Sequence, residues 1–95
     1  MSPRHVLVVL FEYEPAAAHT PLFRATVRPA PKVGDFHPDQ LQRTRRGQSG
    51  AQWFFTERNR PFCLYVVMGG HAQRARLLPQ VRALVDHVVI EQAAA

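Results

Sequence analysis

The stretch WFFTERNRPFCLYVVMGGHAQRARLLPQVRALVDHV, residues 53–88, decides the architecture of this chain. Residues 52–57 and 62–68 are short, β-branched and aromatic, and Arg58-Asn59-Arg60-Pro61 between them carries turn chemistry, so the spacing predicts a hairpin. Both of its faces are apolar. Trp53 and Phe55 oppose Phe54 on the first strand, and Phe62, Leu64, Val66 and Met68 oppose Cys63, Tyr65 and Val67 on the second, so the hairpin needs cover on two sides. After Gly69-Gly70 the period changes. Leu77, Leu78, Val81, Leu84, Val85 and Val88 form one helical stripe, with Arg76, Gln80, Arg82 and Asp86 mostly turned away. Pro79 forfeits no hydrogen bond if it falls in the first turn, which places the helix start at 75 or 76.

Working outward, residues 5–13 are apolar at nearly every position and read as a strand buried on both faces, ended by Pro15. Residues 22–28 alternate Phe23, Ala25 and Val27 with Arg24, Thr26 and Arg28, the period of a half-exposed strand. Pro21, Pro29, Pro31 and Pro38 around it exclude a helix. Asp35-Phe36-His37-Pro38 resembles a helix entry, with room for two turns over 39–46, but Leu41 alone would anchor them, and 37–50 reads better as a mobile loop. Residues 88–91 change period again and suggest a short closing strand, and 92–95 should fray. The expectation is therefore one α+β domain over 1–95, with its ordered core over about 5–91. It has a mainly antiparallel sheet of four to five strands and one C-terminal amphipathic helix packed on one face. A single helix leaves the second sheet face to be shielded by curvature, by the 29–50 segment or by another copy of the chain.

The chemistry of the residues excludes more than it assigns. Five histidines, His5, His19, His37, His71 and His87, share no helical or strand spacing, so no metal site is expected, and neither is any other cofactor. Cys63, the only cysteine, forms no internal disulfide and suits a buried position in its strand better than a catalytic one. Glu12 and Glu14 are a close carboxylate pair, but they flank Tyr13 at a strand exit where solvated charges are usual. Gly69-Gly70 lies between strand and helix without matching a phosphate-binding fingerprint, and tight-turn glycines account for it. No catalytic centre is expected.

The net charge of +5 comes from twelve basic and seven acidic residues, and all the basic residues but Lys32 are arginine. Arginine suits phosphate and carboxylate recognition, although the codon bias of a GC-rich genome writes the same composition. Arg43, Arg45, Arg46, Arg58 and Arg60 are the candidate contacts for an anion or nucleic acid, with Trp53, Phe54 and Phe55 as stacking platforms. Aromatic residues of a hairpin are usually core, and Asp35, Asp39 and Glu57 break the positive run, so nucleic acid is not the favoured partner. The longest apolar run, 6–11, is too short to span a membrane, and its flank lacks a signal-peptide cleavage pattern. The cytoplasm is therefore the default compartment, with an extracytoplasmic domain of a longer precursor as the alternative.

Trp53, then Arg60-Pro61-Phe62-x-Leu64-Tyr65-Val66-Val67-x-Gly69, then Leu78-x-x-Val81-x-x-Leu84-Val85 and a closing Val-Ile-Glu form a pattern that resembles a group of small uncharacterised proteins of high-GC bacteria. The similarity spans about residues 6–91, including the first strand and the proline-rich passage from Pro21 to Pro29. It implies structure and no activity, and it implies an extracytoplasmic setting for many members. The closing hairpin, helix and strand also look like half of a ferredoxin-like dimeric α+β barrel. That likeness implies a small enzyme or ligand carrier, with Trp53, Tyr65, Cys63 and His71 lining a pocket between sheet and helix. The favoured expectation is a module that binds a protein partner or another copy of itself.

Overall fold

The computed structural model describes residues 2–43 and 45–91. Its hairpin is set by Arg58 and Asn59, both at positive φ (54° and 60°). Two left-handed residues in succession are what a type I′ turn requires, and its twist matches that of the flanking strands. From Glu57 opposite Arg60 the ladder runs unbroken to Ser49 opposite Met68. Strands β2 (Ser49–Glu57) and β3 (Arg60–Met68) are therefore longer than the hydrophobic pattern suggests, because Ser49, Gly50 and Ala51 continue the pairing.

Strand β1 (Val6–Glu12) joins the other side of β3, with Val6 opposite Met68 and Glu12 opposite Phe62, so the sheet order is β1-β3-β2. All its pairings are antiparallel. The central strand explains the longest apolar run of the hairpin, since every residue from Pro61 to Met68 is buried. Pro61 is tolerated there because its missing N–H lies beyond the end of β1, and its carbonyl still accepts from Tyr13 N at 2.9 Å.

The expected four to five strands are corrected to three among the described residues. Residues 22–28 form no strand: a 3-10 turn at Pro21–Phe23 bends the chain away. Only the end of β2 is met, by Thr56 N donating to Ala25 O (2.8 Å) and the Thr56 hydroxyl donating to Phe23 O (2.6 Å). Residues 88–91 form no strand either. The carbonyls of Val88 and Glu91 accept from the Arg28 and Arg60 guanidinium groups, which replace a ladder, while Ile90 turns into the core.

Helix α1 (Arg74–His87) follows a 3-10 turn at His71–Gln73 and begins before the expected 75 or 76. Pro79 consequently lies past the first turn, where its missing N–H leaves the Ala75 carbonyl without its helical donor. Leu77, Leu78, Val81 and Val85 are buried, whereas Leu84, expected in the same stripe, is 43% exposed. The helix covers one face of the sheet, made of Val6, Val8 and Leu10, then Ala51, Trp53 and Phe55, then Phe62, Leu64, Val66 and Met68. Phe36, from the segment with the weakest pattern, completes this core at 0% exposure with its ring edge-on to Trp53, centroids 5.9 Å apart.

The opposite face carries Leu7, Val9 and Phe11, Phe54, and Cys63, Tyr65 and Val67. Two irregular segments cover its ends. Phe23 packs between Tyr13 and Phe54, with centroids 5.1 and 5.5 Å away. At the other end, Gln42 N donates to the Tyr65 hydroxyl (2.9 Å). His37 exchanges two backbone bonds with Gly50, and a Cβ at Gly50 would stand 2.8 Å from Leu41 Cδ2, so glycine lets the segment lie against β2. The expected loop 37–50 thus contains a 3-10 turn at Pro38–Gln40 and the start of β2. Thr44 of that loop and residues 92–95, expected to fray, lie outside the described residues.

Candidate functional site

The five arginines singled out from the sequence do not form one surface. Arg58 and Arg60 sit at the hairpin turn, while Arg43, Arg45 and Arg46 belong to the segment over the far end of the sheet. The nine residues of β3 separate the groups by on the order of 25 Å. Arg60 is also committed within the fold. Its guanidinium donates two hydrogen bonds to the Glu12 carboxylate (2.8 and 2.7 Å) and one to Glu91 O, and it lies 5.3 Å over the Phe62 ring. Those hydrogen bonds hold Glu12 below the usual carboxylate range and raise Arg60 above its own ordinary value.

Other arginines act in the same way. Arg28 grips Glu57 through both carboxylate oxygens, the closest at 2.8 Å, and donates to the carbonyls of Val85 and Val88 at the C-terminal end of α1. Arg74 donates to His71 O and Phe36 O, and Arg82 to Pro31 O. Four arginines therefore bind carbonyls of the irregular segments or of the helix end. Such charge-assisted bonds hold chain that has no ladder of its own.

The four residues named for a pocket between sheet and helix do not converge. Trp53 packs against Phe36 under the helix, whereas Cys63 and Tyr65 face the other side of the sheet. Burial pushes the Cys63 thiol up, as expected of a small apolar occupant. Tyr65 lines an open groove of about 460 Å³ with Leu7, Leu41, Gln42, Arg43, Arg45, Gln48 and Val67. His71 lines an adjoining groove of about 520 Å³, which shares Gln48 with the first, beside Gly69, Gly70 and Arg46. Among the described residues there is no group of three or more metal-ligating side chains, and no helix is long and apolar enough to cross a membrane.

The feature that sequence reasoning missed is the free edge of β1. Gly69 N donates to His5 O and Tyr13 N to Pro61 O, so the odd-numbered residues of this strand direct their backbone groups toward β3. Val6, Val8, Leu10 and Glu12 point theirs outward, and among the described residues these have no backbone partner. The other edge of the sheet is partly closed, because Gly50 and Thr56 of β2 bond to His37 and Ala25. Beside the open edge, on the face away from α1, Leu7 is 46% and Phe11 40% exposed. No proline, glycine or lysine interrupts Val6–Glu12, so the devices that usually blunt an edge are missing. That absence is the signal the sequence did offer. It was obscured because a run this apolar reads as a central strand.

Comparison with protein-family models, with curated proteins and with solved structures gives no match for this chain. The fold and its surface carry the functional reading by themselves.

Proposed function

We propose that this domain is a binding module that recognises an extended polypeptide segment by adding it as a strand to the β1 edge. The observation that carries the reading is the row of outward backbone groups on Val6, Val8, Leu10 and Glu12, bordered by exposed Leu7 and Phe11. Main-chain hydrogen bonds would supply affinity, and contacts to the alternating side chains would supply selectivity. The arginines committed to holding the fold, and the separation of the remainder, favour this reading over polyanion binding.

Hydrogen exchange of individual amides tests it, with a panel of synthetic extended peptides of alternating apolar residues as the probe. A bound strand slows exchange at Val6, Val8, Leu10 and Glu12 and leaves Leu7, Val9 and Phe11, already bonded to β3, unchanged. Val8→Pro removes an outward N–H at an edge position where the fold tolerates proline, so it should stay folded and weaken binding at least about tenfold. Unaltered exchange at the outward amides, with every peptide and at every concentration of the chain, would refute the proposal.

A further inference from the structure

We infer that the segment received by the β1 edge is β1 of a second copy of this chain, paired antiparallel about a two-fold axis through Val9; the inference rests on the edge reading above. In this register Val6 lies opposite the partner's Glu12 and Val8 opposite the partner's Leu10. Val6, Val8, Leu10 and Glu12 all point outward, so the alignment gives every outward N–H and C=O of the four residues on each strand a partner. Displacing it by two residues leaves groups at both ends unpaired.

The side chains favour the same alignment. On the face away from α1, Leu7 comes opposite the partner's Phe11 and Val9 opposite the partner's Val9. Cross-strand apolar pairs then cover the two side chains that the single copy leaves 46% and 40% exposed. The charges at the strand ends complement one another. Exposed Arg4 lies in the turn before β1 and exposed Glu14 just after it, so antiparallel pairing brings the Arg4 end of one strand beside the Glu14 end of the other, whereas parallel pairing sets like charge beside like. The three strands of each copy merge into one sheet of order β2-β3-β1-β1-β3-β2, with both helices on the same face. Such an isologous contact closes on itself and consumes the one fully open sheet edge among the described residues.

Light scattering on the full chain and oxidative cross-linking of single-thiol variants test the inference together. The expected mass is that of a dimer, falling to that of a monomer on dilution. In a Cys63→Ser background, Val9→Cys forms a covalent dimer under mild oxidation, because its thiol meets its own twin across the axis. Val8→Cys, opposite the partner's Leu10, does not. A monomeric mass at millimolar concentration overturns the inference, and so does cross-linking at position 8 in preference to 9. If the chain is monomeric but foreign peptides still protect the outward amides, self-pairing fails and strand addition stands. If neither occurs, both fail.

Discussion

Arginine is the residue whose role differs most from its appearance in the sequence. Its abundance reads as codon usage or as a polyanion surface, yet Arg28, Arg60, Arg74 and Arg82 are clips on backbone carbonyls. Nothing in the sequence could reveal this, because the acceptors are main-chain oxygens up to 60 residues away and a carbonyl has no residue signature. Arg28 shows how much such a clip contributes. It satisfies Glu57 and the end of α1 together, with the ion pair only about a quarter exposed (27% and 24%). Arg28→Ala should therefore lower unfolding stability by about 2–3 kcal/mol in urea titrations, since it leaves a half-buried carboxylate and two carbonyls without donors. Arg28→Lys should recover only part of that loss, because an ammonium cannot span the same fork of acceptors.

At the scale of the element, what was legible followed from periodicity. The hairpin and the buried face of α1 were visible though their limits were not, since their apolar spacing of two and of nearly four is imposed by the geometry they adopt. Residues 22–28 show equally good alternation and make no strand, because a free strand edge and a straight approach are needed as well as a pattern, and Pro21–Phe23 denies the approach. Pro79 and Leu84 show the matching limit for the helix: pattern gives the face and not the boundaries. The turn carries its own conflict. Arg58 occupies a left-handed position that disfavours a long L side chain and suits asparagine or glycine. Replacing Arg58→Asn should raise stability by about 0.5–1 kcal/mol with the hairpin register unchanged, read from thermal melts and from amide exchange along β2 and β3. Asn59 should be kept, as its side-chain oxygen lies 3.1 Å from His19 Nε2 and helps hold the 15–20 segment to the turn.

For the whole molecule, the α+β arrangement with one C-terminal helix was readable, and the number and order of the strands were not. Two-sided apolarity in residues 5–13 and in 62–68 marks both as candidates for the centre of the sheet, and only one of them occupies it. The second sheet face is shielded in part by segments the sequence left almost without signal. On the helix-covered face Phe36 is as poorly signalled: a single aromatic flanked by Asp35, His37 and Pro38 has no periodic company, yet it is among the most deeply buried side chains. It joins the proline-rich half of the chain to the core under α1. Phe36→Ala should therefore cost about 3–5 kcal/mol, and calorimetry should show one cooperative transition lost as a unit rather than a local loosening. The candidate site was hidden for a related reason: whether a strand is central or peripheral depends on partners far along the chain, which local composition does not encode.

The pairing of Val6 with Met68 also orders events in time. The first strand leaves the ribosome about 60 residues before its complement, an interval of roughly 3–12 s at common elongation rates. β2 and β3 can close locally within that time, but the N-terminal ribbon waits as an unmatched greasy segment. Nascent chains on one polysome present the same segment to each other throughout the delay, so assembly between neighbours can compete with completion of the single chain.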